Sequence, residues 1–139
     1  MDLGLDDRCA LVTGAWRGTG AGIAEVLAAE GAIVLVHGLE AGQADDTAAA
    51  ISAAGGRAHP VHGDIRTDEG AADLRTSVAA ITDRVDIVVN NYGVADGTTW
   101  DRATGESWHA SYDTNVVSAM RVVDAFVEPM RRRGWGPAP

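Results

Sequence analysis

The chain has 139 residues, 46% hydrophobic and 22% charged, which is enough for one domain with a buried core. A formal net charge of −9 argues against nucleic acid or an anionic membrane as the main partner, and no apolar run is long enough to span a bilayer. The acidic start, Met1 to Asp7, lacks a signal-peptide pattern, and the single Cys9 excludes an internal disulfide, so the expected location is the cytoplasm.

Arg8 to Thr13 is nearly all apolar and predicts a first strand buried on both faces. Gly18 to Ala29 predicts a helix with Ile23, Val26 and Leu27 as its apolar stripe and Gly31 at its end. Ala32 to Val36 predicts a second strand, Ala41 to Ala53 a second helix, and Arg57 to Val61 a third, shorter strand. Thr67 to Asp83 predicts a helix capped by Thr67, with Asp68 and Glu69 in its first turn. Val85 to Asn90 predicts a fourth strand, and Thr104 to Arg133 one or two helices capped by Thr104. This alternation predicts an α/β fold with a doubly wound parallel sheet in the order 3-2-1-4. A ligand crevice is then expected beyond the carboxyl ends of strands 1 and 4. Residues 1–133 form the expected domain, and 134–139, rich in Gly and Pro, an irregular tail.

The stretch Thr13-Gly14-Ala15-Trp16-Arg17-Gly18-Thr19-Gly20 joins the first strand to the first helix. In that context Gly14 supplies a tight turn, Gly18 keeps side chains away from a ligand, and Gly20 lets the helix lie close to the strand. The helix end offers unpaired N–H groups and a partial positive charge, which suit a pyrophosphate. The same sheet edge carries His62-Gly63-Asp64-Ile65 after the third strand and Asn90-Asn91-Tyr92-Gly93 after the fourth. Asp64 is a candidate acceptor for an adenine amino group, although a strand-end Asp also caps local N–H groups. The four histidines have no metal-ligand spacing, so no metal is expected. Arg131-Arg132-Arg133 is a candidate phosphate contact, but reads first as a solvated helix end whose charge suits the dipole.

With these motifs assembled, the chain resembles the N-terminal part of a short-chain dehydrogenase/reductase, nearest the 3-oxoacyl-reductase type. T-G-x-x-x-G-x-G, Asp64, N-N-x-G, Trp108 and Asn115-Val116-Val117-Ser118 occur in family order, and the resemblance runs from about Leu5 to about Gly136. It implies a Rossmann fold and NAD(P)-dependent reduction of a carbonyl or oxidation of an alcohol. It also implies that Gly14, Arg17, Gly18, Thr19 and Gly20 form the cofactor turn, Asp64 and Ile65 the adenine contact, and Asn90 and Gly93 the ribose-side loop. Asn115 matches the asparagine of the family's Asn-Ser-Tyr-Lys tetrad, which helps hold a water in the proton relay; its plainer reading is a polar residue on a helix surface. The segment His37-Gly38-Leu39-Glu40 matches the place that sets cofactor preference and puts Leu39 against the cofactor. Gly38 stands where NAD-preferring relatives often carry Asp, and Arg17 stands where a basic residue favours NADP. The expected cofactor is therefore NADP ahead of NAD, unless Glu40 turns inward.

Tyr92 departs from the small residue, usually Ala, of N-N-A-G; a phenol there crowds the cofactor unless the loop is displaced or the ring turns outward. Thr19 replaces a common Ile, and Trp16 is large for a cofactor loop unless it points to solvent. The family's Tyr-x-x-x-Lys pair is missing: all eleven basic residues are Arg, and Tyr92 and Tyr112 are followed at the fourth position by Asp96 and Val116. The family's Ser and Tyr-Lys lie beyond a Gly such as Gly134 or Gly136, so the sheet is expected to be truncated before a fifth strand. The expectation is a cofactor-binding part that is inactive as this chain alone. Its last helix should expose Val116, Met120, Val123 and Phe126 in part and drive homo-oligomerisation or association with a complete relative. The alternatives are a non-catalytic NADP(H)-binding or hetero-oligomerising module, and a poorly folded fragment of a truncated reading frame. Whether the chain is an enzyme stays open at this point.

Overall fold

Four apolar runs become the strands of one parallel sheet, in a computed structural model that describes residues 2–136. β1 (Cys9–Val12), β2 (Ile33–Gly38), β3 (Arg57–His62) and β4 (Ile87–Val89) are ordered β3-β2-β1-β4. Leu11 of β1 pairs with Leu35 of β2 on one side and Val88 of β4 on the other. The connections are α1 (Gly18–Ala29), α2 (Asp45–Ala53) and α3 (Asp68–Ala79), and β4 is followed by α4 (Gly105–Tyr112) and α5 (Ser118–Arg133). A π-helical turn, Asp113–Val117, joins the last two. The order is the one expected from the sequence, and the last three residues of the expected irregular tail lie outside the described residues.

The sheet separates two apolar layers. Leu11, Leu35, Val61, Leu74, Val122 and Phe126 pack on the face covered by α3 and α5. Val12, Ala24, Ala28, Val34, Val36 and Ile51 pack on the face covered by α1 and α2. The second layer is thin because α1 buries Gly20, Ala24 and Ala28, a line of small residues at fourfold spacing. The expected stripe is displaced by one step: Val26 is 63% exposed, while Ile23 and Leu27 are half-buried. Small residues let the helix axis approach the sheet, and the larger ones are turned to its sides. Phe126 also departs from expectation, being buried against the sheet rather than part-exposed.

Element ends shift for local reasons. β2 runs on to Gly38 because β3 pairs with it as far as Gly38 and His62. α2 starts only at Asp45, since the preceding residues form a turn in which Gln43 N–H donates to Glu40 O and Gly42 takes a φ of +84°. Thr67 caps α3 by accepting from Gly70 N–H, and Thr104 and Ser107 form a reciprocal cap on α4. β4 is short, and the Asp86 carboxylate fastens its start: it accepts from Cys9 N–H at 2.9 Å and from Arg84 Nε at 2.7 Å. Burial works to raise the Asp86 pKa, but these hydrogen bonds outweigh it and hold the carboxyl below its usual range. Pro60 lies in β3, an edge strand, the kind of strand that tolerates a missing N–H.

Candidate functional site

The glycine turn sits beyond β1, with α1 starting from it. Gly14 and Gly18 have φ of +62° and +58°, the left-handed region that glycine reaches without strain. A Cβ on Gly20 would collide with the Gly14 carbonyl and stand 2.5 Å from Asn91 Nδ2, so only glycine lets the turn close on itself. No side chain caps the start of α1, which leaves its first amides, at Gly18, Thr19 and Gly20, directed out of the helix end. Open space surrounds Gly18. This is an anion cradle with a dipole behind it. Arg17 is exposed, lies 5.6 Å from the Trp16 ring centroid, and has no carboxylate partner among the described residues.

Residues outside the motif hold the turn in shape. Thr13 Oγ1 accepts from the N–H groups of Asn91 and Tyr92 at 3.1 and 3.0 Å. Asn91 Nδ2 donates to the carbonyls of Thr13 and Gly14 at 3.0 and 3.3 Å. Asn90, the residue expected at the ribose side, is exposed, and the clasp between the two loops is made by its neighbour. His37 is fully buried at the end of β2. Its Nδ1 accepts from Gly14 N–H at 3.1 Å and its Nε2 donates to Gly63 O at 2.8 Å, which requires the neutral Nε2-protonated ring. Burial pushes the His37 pKa down to about 4. One imidazole thus ties together the turns that follow β1 and β3.

On the β3 side, Ile65 is buried and Leu39 and Asp64 are half-buried. Asp64 is already engaged: Arg66 Nε and a terminal nitrogen each donate to it at 2.8 Å, and these hydrogen bonds hold its carboxyl below the usual range. Gly38 has no room for an acidic side chain, since a Cβ there would stand 2.9 Å from Gln43 Cβ. Tyr92 does not turn outward. It is 8% exposed, its ring centroid is 6.2 Å from that of Trp16, and a Cβ on Gly14 would stand 3.0 Å from its Cα. Trp16 is half-buried against it rather than free in solvent. Burial raises the Tyr92 pKa, and its hydroxyl is near enough to feel the charges of Arg66 and Asp64.

On the β4 side the crevice is open. A cavity of about 240 Å³ is lined by the glycine turn, Asn91, Tyr92, Gly93 and Val94. A second, of about 190 Å³, continues past Val94 to Ser111, Thr114 and Asn115. Asn115 lies in the π-helical turn and is clamped there: its Oδ1 accepts from Val94 N–H at 2.7 Å, and its Nδ2 donates to Val94 O at 3.0 Å and Ser111 O at 2.9 Å. A Cβ on Gly93 would stand 2.8 Å from Asn115 Oδ1, so the glycine is needed for that approach. The fold therefore brings Gly14, Gly18, Thr19, Gly20, Gly93 and Asn115 round one opening, with Asp64, Ile65 and Leu39 behind Tyr92. Thr13, His37 and Asn91 were missed as supports of the site. A larger cavity, about 500 Å³, lies between α3 and α5 at the opposite end of β4, away from the turn. Two of its arginines are committed, Arg84 to Asp86 and Arg133 to the Val85 carbonyl.

The described residues contain no group of three His, Cys, Asp or Glu able to hold a metal, and no helix among them is long and apolar enough to cross a membrane. A family model described as short chain dehydrogenase matches residues 8–137. An uncharacterized oxidoreductase of Methylorubrum extorquens is 37% identical over 123 residues, covering 87% of this chain and 49% of the relative. The L-sorbose reductase of Gluconobacter frateurii, solved with NADPH and L-sorbose, superposes with a TM-score of 0.86 at 32% identity, over 96% of this chain and 51% of that one. A 3-oxoacyl (acyl-carrier-protein) reductase of Agrobacterium tumefaciens, solved with NADP, gives a TM-score of 0.83 at 35% identity, over 95% and 51%. The chain spans about half the length of the relatives it matches.

Proposed function

Because the chain belongs to the short chain dehydrogenase family, we propose that it is the nicotinamide-nucleotide-binding part of an NAD(P)-dependent oxidoreductase, working in the cytoplasm. The observation that carries this reading is the uncapped start of α1 beside Gly14 and Gly18, braced from three sides by Thr13, Asn91 and His37. Backbone amides of Gly18, Thr19 and Gly20 hold the pyrophosphate without needing a counter-charge from lysine. Gly93 and Val94 border the nucleoside next to it, and Asn90, just before Asn91 in the chain, is exposed for a ribose hydroxyl. Arg17 is free to pair with a 2′-phosphate, and Gly38 leaves no carboxylate to repel one, so NADP is preferred over NAD.

A bound nicotinamide would supply hydride to, or take it from, a carbonyl carbon. These residues fix the nucleotide and leave the proton transfer to others. Tyr92 is buried behind the turn, Tyr112 is 62% exposed on α4, and the chain has no lysine to pair with either. Asn115 spends its amide on Val94 and Ser111 and so shapes the loop over the open side. The chain alone is therefore a binding part, inactive until a Tyr-Lys pair and a substrate pocket are supplied by further sequence or by a complete relative.

Trp108, Tyr112, Val116 and Met120 favour a second role. They recur every fourth residue and are 63%, 62%, 40% and 51% exposed, an apolar stripe along the helices that follow β4. It suits a second copy or a complete relative; sedimentation should show association above the monomer that Met120→Glu abolishes. The binding reading is tested by a thermal melt with NADPH. At one hundredfold above its dissociation constant the ligand should add about 2.7 kcal/mol, a rise of roughly 9 °C for a chain of this size. A cooperative melt indifferent to both NADPH and NADH refutes it.

A further inference from the structure

The crevice is open at one end and stopped at the other. From the glycine turn it opens toward Val94, which also borders the cavity that reaches Asn115. Toward β3 it ends at Tyr92, and Leu39, Asp64 and Ile65 line neither cavity. Tyr92 is held there by the Trp16 ring, by the hydrogen bond from its own N–H to Thr13, and by packing in the apolar layer that includes Ile65 and takes Leu39 at its margin. Asp64 is engaged as well, each of its oxygens accepting from Arg66.

On the reading that the turn binds a nicotinamide nucleotide, we propose that Tyr92 is a specificity-determining residue that stops the adenosine end of the crevice. This chain then binds a nicotinamide mononucleotide through its phosphate and gains little from the adenosine half of a dinucleotide. Seating the adenosine beside Asp64 and Ile65 requires the Tyr92 ring to leave Trp16 and the apolar layer. The apparent affinity for the dinucleotide is reduced by the small fraction of chains in which it has done so.

Calorimetric titration of the full 139-residue chain with nicotinamide mononucleotide, adenosine 2′,5′-bisphosphate and NADP separates the two ends of the site. The wild-type chain should bind NADP within about tenfold of the mononucleotide and should bind the adenosine bisphosphate at least about tenfold more weakly than either, through its phosphates and Arg17 alone. Tyr92→Ala should tighten NADP at least tenfold or so and admit the adenosine bisphosphate more tightly, with a smaller change for the mononucleotide. Trp16→Ala, at a half-buried position, should move NADP in the same direction and carries the test if Tyr92→Ala does not melt cooperatively. Wild-type binding of NADP about a hundredfold tighter than the mononucleotide, with NADP weakened in either variant, overturns the proposal and leaves the proposed function standing. No binding of any of the three to any folded variant overturns both.

Discussion

The two flanks of β1 are built to different standards. Toward β2 and β3, pairing is continuous from Ile33 and Arg57 to Gly38 and His62, the residues of β2 from Val34 onward are buried, and His37 binds the loops at the top. Toward β4, pairing lasts three residues, all half-buried, and the helices that follow present Trp108, Tyr112, Val116 and Met120 outward. The first flank is a finished wall. The second is held at its ends, by Asp86 on Cys9 below and by Asn91 and Asn115 above. Both flanks border the same glycine turn, so the difference separates what keeps the site in shape from what leaves it open to additions.

Paired truncations should show this contrast most strongly. Leu35→Ala should cost about 2–5 kcal/mol in urea unfolding, and Val88→Ala, its counterpart across Leu11, about 1 kcal/mol or less. Equal costs would mean that β4 is as fully packed as β2. The next effect is electrostatic and belongs to the first flank alone. His37 has a folded pKa of about 4 against an ordinary 6.5, so the unfolded chain takes up its proton first as pH falls. Stability from this group is complete above pH 6.5, declines between 6.5 and 4, and is reduced by about 3 kcal/mol below that. Asp64 and His62 are the titratable groups nearest it, acting in opposite senses. Denaturation of His37→Phe across that range should be flatter in pH than the wild type, and an unchanged slope would remove His37 from the account.

Smaller effects distinguish the two asparagines of the second flank. Asn91→Ala leaves the carbonyls of Thr13 and Gly14 without their donor and should cost about 1–3 kcal/mol, together with weaker NADPH binding. Asn115→Ala releases Val94 on the exposed side, should cost about 1 kcal/mol, and should raise amide exchange at Val94 first. If Asn115→Ala proves the more damaging, the open flank is the one that sustains the site.

The glycine turn and the caps at Thr67 and Thr104 were legible in the sequence because each depends on residues near one another in the chain, and the strand order because strands and helices alternate along it. What was not legible depends on residues far apart. His37 has meaning only once β2 reaches Gly38 and brings the ring between Gly14 and Gly63. Asn90 and Asn91 differ by a single step along the chain, and only the structure shows that the second of them meets Thr13. The direction of the Tyr92 ring was left open by the sequence and is decided by Trp16 and the apolar layer behind it. The claim of Arg66 on Asp64 is local, two residues away, and was within reach of a closer reading of that turn.

Pro60 gives the sheet a direction of growth. It lies in β3, one outer strand, and has no N–H to offer a newcomer, whereas the other outer strand, β4, carries Ile87, Val88 and Val89 with their amides intact. A sheet with two receptive edges can add copies without end, as fibres do. Here one outer strand is interrupted by Pro60 and the other is not, so growth of the described sheet is favoured at β4, whether by a further strand or by a second copy.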